Sequence, residues 1–272
     1  DTGVSADDGI TSDPALTLSQ PAQDVTRVVT VNGVEQGADY TPPPDDGSAD
    51  GEYTVVVTDT DEAGNVATAT LAFTLDTTPP DAPAADLTND TGAADDDGIT
   101  QDAALTLAPV PDGASREVLL DGVSQGSTYT PPAGDGDYTV TIRDTDAAGN
   151  TSAETTVALT LDTVAPTVTL DPIAGGTLDL LDIQSDLEIT GTAAGAGAGA
   201  VVELTFDGQT YQGTTQADDS FSVTVPQASL EAIEERPGDF ATIDVSAFAT
   251  DLAGNVSETI SETVDADFTG PS

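Results

Sequence analysis

The side chains able to do chemistry in this sequence are carboxylates, and they recur at fixed spacings. Asp59 and Asp61 stand in DTDEAGN (59–65), which ends at Asn65, and Asp144 and Asp146 stand in DTDAAGN (144–150), which ends at Asn150. TDLAGN (250–255) keeps Asp251 and Asn255 but has Ala249 where the first carboxylate would be. A second set opens DTGVSADDGIT (1–11) with Asp1 and Asp8, and DTGAADDDGIT (90–100) with Asp90 and Asp97. A third closes LDTTPP (75–80) and LDTVAP (161–166), with Asp76 and Asp162. With no His and no Cys, thiolate and imidazole metal sites are excluded and only oxygen ligands remain. Six to eight oxygens at ~2.4 Å suit Ca2+, whereas Mg2+ wants fewer protein ligands in a tighter octahedron. DTDEAGN is not an EF-hand, since Ala63 and Thr70 occupy its fifth and twelfth positions. The competing account of each cluster is an Asp-rich turn that caps its own amides. A separate ion inside the Asp95–Asp97 loop is a further option.

These carboxylates need strands to position them. Tyr53 to Thr58 alternates with Tyr53, Val55 and Val57 on one face, and the same face continues to Asp59 and Asp61. Two acids ~7 Å apart at a partly buried rim raise each other's pKa unless a cation lies between them. Ala249 leaves the third copy one ligand short. A tight turn at Gly64-Asn65 leads to a last strand with Leu71, Phe73 and Leu75, and Tyr138, Val140, Ile142 and Val157, Leu159, Leu161 repeat that hairpin. Earlier strands are expected at 104–107 and 116–120, a two-residue hairpin turn at Asp207-Gly208, and one or two helical turns from Ser229 to Glu235, stopped by Pro237-Gly238. The Ala-Gly run at 193–200 lacks the following helix and the lysine of a phosphate loop and reads as a flexible loop.

Strands every 8–12 residues, punctuated by Gly, Asp and Pro, predict an all-β chain of three tandem immunoglobulin-like antiparallel β-sandwich domains in an elongated rod, at residues 1–76, 77–162 and 163–272. In such a sandwich the first and last strands run in the same sense. Asp76 and the Asp1–Asp8 loop should therefore face Asp144, Asp146 and Asn150, and Asp162 and the DTGAADDDG loop should face Asp251 and Asn255. Two acid sets then converge on each joint.

The net charge of −46 repels phosphate backbones and anionic lipid, so nucleic acid and membrane surfaces are poor partners and cations are good ones. It equally fits solvated acids that only maintain solubility. No apolar run approaches the ~20 residues that span a bilayer, and the first residues read as the middle of a repeat, as in a fragment of something longer.

The combination DTG…DDGIT, TPP, DTDxAGN and LDTTPP over 1–166 resembles the bacterial immunoglobulin-like repeats of giant biofilm and surface adhesins exported by the type I route, among them the repeats-in-toxin (RTX) adhesins. ITGTA, VVELTFDGQTY, FSVTVP and TDLAGN in the third unit are similar to their longer extender repeat. The resemblance implies an extracellular stalk on the bacterial cell surface, with Ca2+ at the domain junctions, rigid when loaded and without a ligand pocket.

The leading functional expectation is mechanical: a monomeric, calcium-rigidified spacer whose partners are neighbouring repeats of the same chain, projecting a distal binding domain for adhesion and biofilm formation. At ~3.3 Å per residue, three sandwiches in line would span about 100 Å. The alternative is a ligand-binding adhesin module that recognises a glycan or peptide through the divergent third unit. Only five Tyr and six Phe exist to line such a site, most at strand positions. An enzyme is not expected, because the acids sit in repeated turns and no His, Cys or Lys accompanies them.

Overall fold

A computed structural model describes residues 1–3, 5–234 and 241–268. The period-two runs are strands. The first repeat contributes β1 (Ile10–Thr11), β2 (Val25–Val31), β3 (Val34–Gly37), β4 (Gly51–Asp61) and β5 (Val66–Leu75), in one sheet of order β1-β5-β4-β2-β3. Next come β6 (Ala85–Leu87), β7 (Ile99–Thr100), β8 (Leu105–Leu107), β9 (Ser115–Leu120), β10 (Val123–Gly126), β11 (Gly136–Thr145) and β12 (Thr155–Leu161). They form a sheet of order β10-β9-β11-β12-β7 and a two-stranded sheet β6-β8. The third region holds β13 (Thr167–Leu170), β14 (Thr177–Asp179), β15 (Leu187–Ala194), β16 (Val201–Phe206), β17 (Gln209–Thr214), β18 (Ser220–Val225), helix α1 (Gln227–Glu234), β19 (Ala241–Thr250) and β20 (Ile260–Asp267). Its sheets are β13-β15-β18 and β14-β20-β19-β16-β17.

Two local rules set this arrangement. Asn32-Gly33, Asp121-Gly122 and Asp207-Gly208 all take positive φ, from 48° to 79°, the twist that a two-residue hairpin needs. A short strand near the start of each copy, β1, β7 or β14, pairs in parallel with that copy's last strand: Ile10 with Thr74, Ile99 with Thr160 and Thr177 with Asp265. Entry and exit of each copy therefore lie at opposite ends, as the sandwich topology predicts.

The chain packs as two compact units. The first comprises Asp1–Asp86, Thr106–Thr130 and Thr139–Val157; the second comprises Leu87–Leu105, Pro131–Tyr138 and Ala158–Ser272. In the first unit the core of the 1–76 repeat is thin: Val29, Val31 and Val55 are buried, flanked by half-buried Leu16, Leu18 and Phe73, whose ring stacks on Tyr53 with centroids 5.4 Å apart. In the second, Ile189, Val202, Leu204, Phe206, Phe221, Val223, Ile243 and Val245 make a larger core, closed by Leu230 and Ile233 of α1. The expected stop signals Glu235 and Pro237-Gly238 lie outside the described residues.

The Ala-Gly run differs from the flexible loop expected of it. Ala196 and Ala200 are buried, and Gly199 N and Ala200 O bond to Thr215 O and N at 2.9 and 3.0 Å. Among the described residues no helix is long and apolar enough to cross a membrane.

Candidate metal centres

Each AGN stretch is a closed turn. Asp61, Asp146 and Asp251 accept the backbone N–H of Asn65, Asn150 and Asn255 on Oδ1, at 2.8, 2.8 and 2.7 Å, and the side-chain Nδ2 of the same Asn on Oδ2, at 2.8, 2.9 and 2.9 Å. The Asn65 amide holds the Asp61 carboxyl below the usual carboxylate range. An Asn amide carries two hydrogens, and in two of the turns the second one reaches the preceding repeat. Asn150 donates to the carbonyl of Asp76 at 2.8 Å, within the first unit, and Asn255 donates to that of Asp162 at 2.9 Å, within the second. The stretches expected to face each other are thus in direct contact, joined through the Asn amide and a backbone oxygen.

The DTG loops complete each joint. Thr2 Oγ1 donates to Ala148 O at 2.6 Å, and Thr91 Oγ1 donates to Ala253 O at 2.6 Å. The glycine after each threonine has no substitute. A Cβ on Gly3 would fall 1.9 Å from Ala147 O, and one on Gly92 1.9 Å from Leu252 O, at φ values of +96° and +106°. Sequence reasoning missed the threonine and the glycine. Their signal was present in the recurrence of DTG alongside AGN.

Within the loops, Asp1 and Asp90 each accept the N–H of the glycine eight residues on (Gly9, 3.1 Å; Gly98, 2.9 Å), while Asp8 and Asp97 accept from Ile10 and Ile99 at 3.0 and 2.9 Å. Asp95, Asp96 and Asp97 are exposed. Asp76 and Asp162 cap their own following residues through Oδ1, accepting from Thr78 N at 3.2 Å and Val164 N at 3.0 Å.

Asp59 and Asp144 behave differently from the expected rim ligands. Asp59 takes a two-pronged ion pair from Arg27 (2.7 and 2.7 Å), and Asp144 one from Arg116 (2.8 and 2.7 Å). The register sets this, because Arg27 lies opposite Asp59 and Arg116 opposite Asp144. Repulsion between the paired acids was expected to raise their pKa unless a cation lay with them; the Arg27 guanidinium is a cation beside Asp59 and holds it low, and Asp144 raises Arg116. Ala249 lies opposite Val202, both fully buried. The third copy has therefore exchanged a buried ion pair for an apolar one, a swap often neutral or stabilising.

Among the described residues no three carboxylates gather at ligating distance. One oxygen is nevertheless unaccounted for: Asp90 Oδ1 is buried and has no hydrogen-bond partner. An unpaired charged oxygen costs on the order of several kcal/mol when withdrawn from water, so the position favours a cation. The side chains able to ligate a metal here are carboxylates and amides, with no His or Cys in the chain, so any cation bound there would be held by oxygen.

A sequence profile described as bacterial Ig-like domain matches residues 1–77 and again 78–163. No curated protein matches the chain. Among solved structures, the chain is similar to part of a 1.5-MDa bacterial ice-binding adhesin studied for host cell surface retention (22% identity, 90% of this chain and 87% of that one, TM-score 0.31). It is also similar to a Ca2+-stabilized adhesin with which an Antarctic bacterium binds ice (24%, 92% and 67%, TM-score 0.30) and to a tetra-tandem repeat from the extending region of a large adhesion protein (22%, 92% and 68%, TM-score 0.35). The parallel pairing of a short early strand with the last, the twice-repeated joint and the two profile matches, which cover well over half of the sequence, place this chain in the bacterial Ig-like domain family.

Proposed function

We propose that this chain is a calcium-rigidified extracellular spacer of a large repetitive bacterial surface adhesin, built of modules at 1–76, 77–162 and 163–272. The buried, unpartnered Asp90 Oδ1 beside a Thr91 hook and a Gly92 contact is the observation that carries the reading. Calcium at the second joint would be held by Asp90 with oxygens of Asp97, Asp162, Asp251 and Asn255. At the first joint the corresponding residues are Asp1, Asp8, Asp76, Asp146 and Asn150. The ion supplies charge that neutralises the joint carboxylates; the chain's own threonine and asparagine bonds set the angle. The similarity to adhesin repeats supports the stalk role, its cell-surface location and a tie to neighbouring repeats, and the role needs no catalytic group.

The test compares melting and small-angle scattering in millimolar calcium and in chelator, for the natural chain and for Asp90→Asn. Saturation a hundredfold above the dissociation constant adds ~2.7 kcal/mol, enough to move the melting temperature by several degrees. The natural chain should melt higher and scatter as a stiffer particle with calcium, and Asp90→Asn should lose part of that increment. Identical curves with calcium and chelator would discard the proposal.

A further inference from the structure

The outer sheet face of the third repeat departs from that of the second at one cross-strand position. In the second repeat Arg143 lies opposite Glu117; its Nε donates to Glu117 Oε2 at 3.0 Å, and its Nη1 stands 3.6 Å from Glu154 Oε1. Val202 and Ala249 occupy the places of Arg116 and Asp144, so the equivalents of Glu117 and Arg143 are the neighbours Glu203 and Phe248, which again lie opposite each other. The third repeat has kept the carboxylate and put a phenyl ring where its guanidinium was. Among the described residues Glu203 takes part in no ion pair. Gln212 Nε2 meets it at 3.5 Å, the outer limit of a hydrogen bond.

Phe248 lies outside the core. Ala247 and Ala249 on either side of it are buried, so strand alternation puts its half-buried ring on the outer face. Gln212, Glu203 and Phe248 form one row across β17, β16 and β19, and Thr214, Val201 and Thr250 form the next. The DTG loop of 90–92 and the AGN turn of 253–255, which belong to the same compact unit as these strands, wall the end of the rows. The result is an open cleft of about 520 Å3, lined by Glu203, Gln212, Phe248 and Thr250 and by Thr91 and Gln101. Gln101 donates through Nε2 to Ala253 O at 3.2 Å, which leaves its Oε1 as an acceptor.

We propose that this cleft binds an arginine side chain of a basic peptide segment, with the guanidinium held by Glu203 beside Phe248. A carboxylate, an amide oxygen and an aromatic ring are the groups that recognise this cation: its fork of N–H groups pairs with the carboxylate, and its plane stacks on the ring. Arg143 is the template, because it brings a guanidinium to the equivalent carboxylate one repeat earlier. The net charge of −46 attracts a basic segment, and the cleft gives its arginine one place to settle. A neutral sugar would also stack on the ring, but it would leave Glu203 without a countercharge.

The test follows the backbone amide shifts of the whole chain by NMR in about 0.15 M sodium chloride, where a Debye length of about 8 Å suppresses loose attraction between distant charges. The probes are the capped peptide GSRSG and the same peptide with citrulline, the uncharged isostere of arginine, in its centre. Saturable shifts confined to 201–203, 212 and 248–251 are expected with the arginine peptide, and binding about tenfold weaker or worse with the citrulline one. Glu203→Gln should weaken the arginine peptide by about as much. Phe248→Arg, which rebuilds the pair that the second repeat already carries, should fill the cleft from within and abolish binding. Absence of shifts at millimolar peptide, equal binding of the two peptides, undiminished binding to Glu203→Gln or Phe248→Arg, or shifts spread over carboxylates throughout the chain would each overturn the proposal. So would movement of the same amides by maltose in place of the peptide, since the occupant would then be a neutral sugar.

Discussion

Arg116 and Asp144 form an ion pair whose side chains are 4% and 1% exposed, in the middle of a sheet. Removing one partner strands a charge, whereas replacing both gives an apolar pair of the kind that the third repeat has in Val202 and Ala249. Arg116→Leu alone should therefore cost about 3–5 kcal/mol in urea unfolding, and Arg116→Leu with Asp144→Ala should recover most of that loss. Carboxylates held low by their partners contribute to stability against acid. Asp59 is held low by Arg27 and Asp61 by Asn65, so both have folded-state pKa values below those of the unfolded chain. The unfolded state takes up these protons first as pH falls. Their stabilisation is complete above the unfolded carboxylate range, about pH 4, and is lost as pH drops through the folded values. Melting followed between pH 6 and pH 2 should show a steep loss below about pH 4, and Asp61→Asn should make that loss shallower.

At the scale of elements, the joint depends on a loop glycine lying against a neighbouring turn. Gly92→Ala would drive a methyl into the carbonyl of Leu252, so the loop and turn must part. Hydrogen exchange should show the amides of 90–92 and 251–255 losing protection, while the cores of both repeats keep theirs. The strands carrying this joint were legible, because Val55, Val57 and Ile243, Val245, Ala247 alternate cleanly and Asp-Gly and Asn-Gly mark the turns. The sense of the first and last strands followed from the sandwich type, and it correctly brought Asp76 to Asn150 and Asp162 to Asn255. Which carboxylate meets a cation from its own sheet was not legible. That depends on register between strands about thirty residues apart, which set Arg27 opposite Asp59 and Arg116 opposite Asp144. A serine device was missed for the same reason. Ser152 and Ser257 each accept a strand N–H, from Asp144 at 3.0 Å and Ala249 at 2.9 Å, and so break the last strand. The first repeat has Ala67 there and keeps one unbroken hairpin from Thr60–Val66 to Gly51–Leu75.

For the whole molecule, −46 charges on 272 residues make self-repulsion a general term that no single contact offsets. Sodium chloride screens exposed charges, with a Debye length of about 10 Å at 0.1 M and 3 Å at 1 M. In chelator, the melting temperature should rise with salt over that range, and the rise should shrink once calcium is present. Calorimetric scans at matched protein concentration check both. The middle repeat has a further property. It receives Thr2 and the Asp76 carbonyl at its AGN turn, and it offers Thr91 and the Asp162 carbonyl to the next one. It therefore carries both halves of the same seam. Copying such a segment within a gene yields a longer protein whose new seams meet the same partners, so the number of repeats can change by duplication and deletion without inventing another interface.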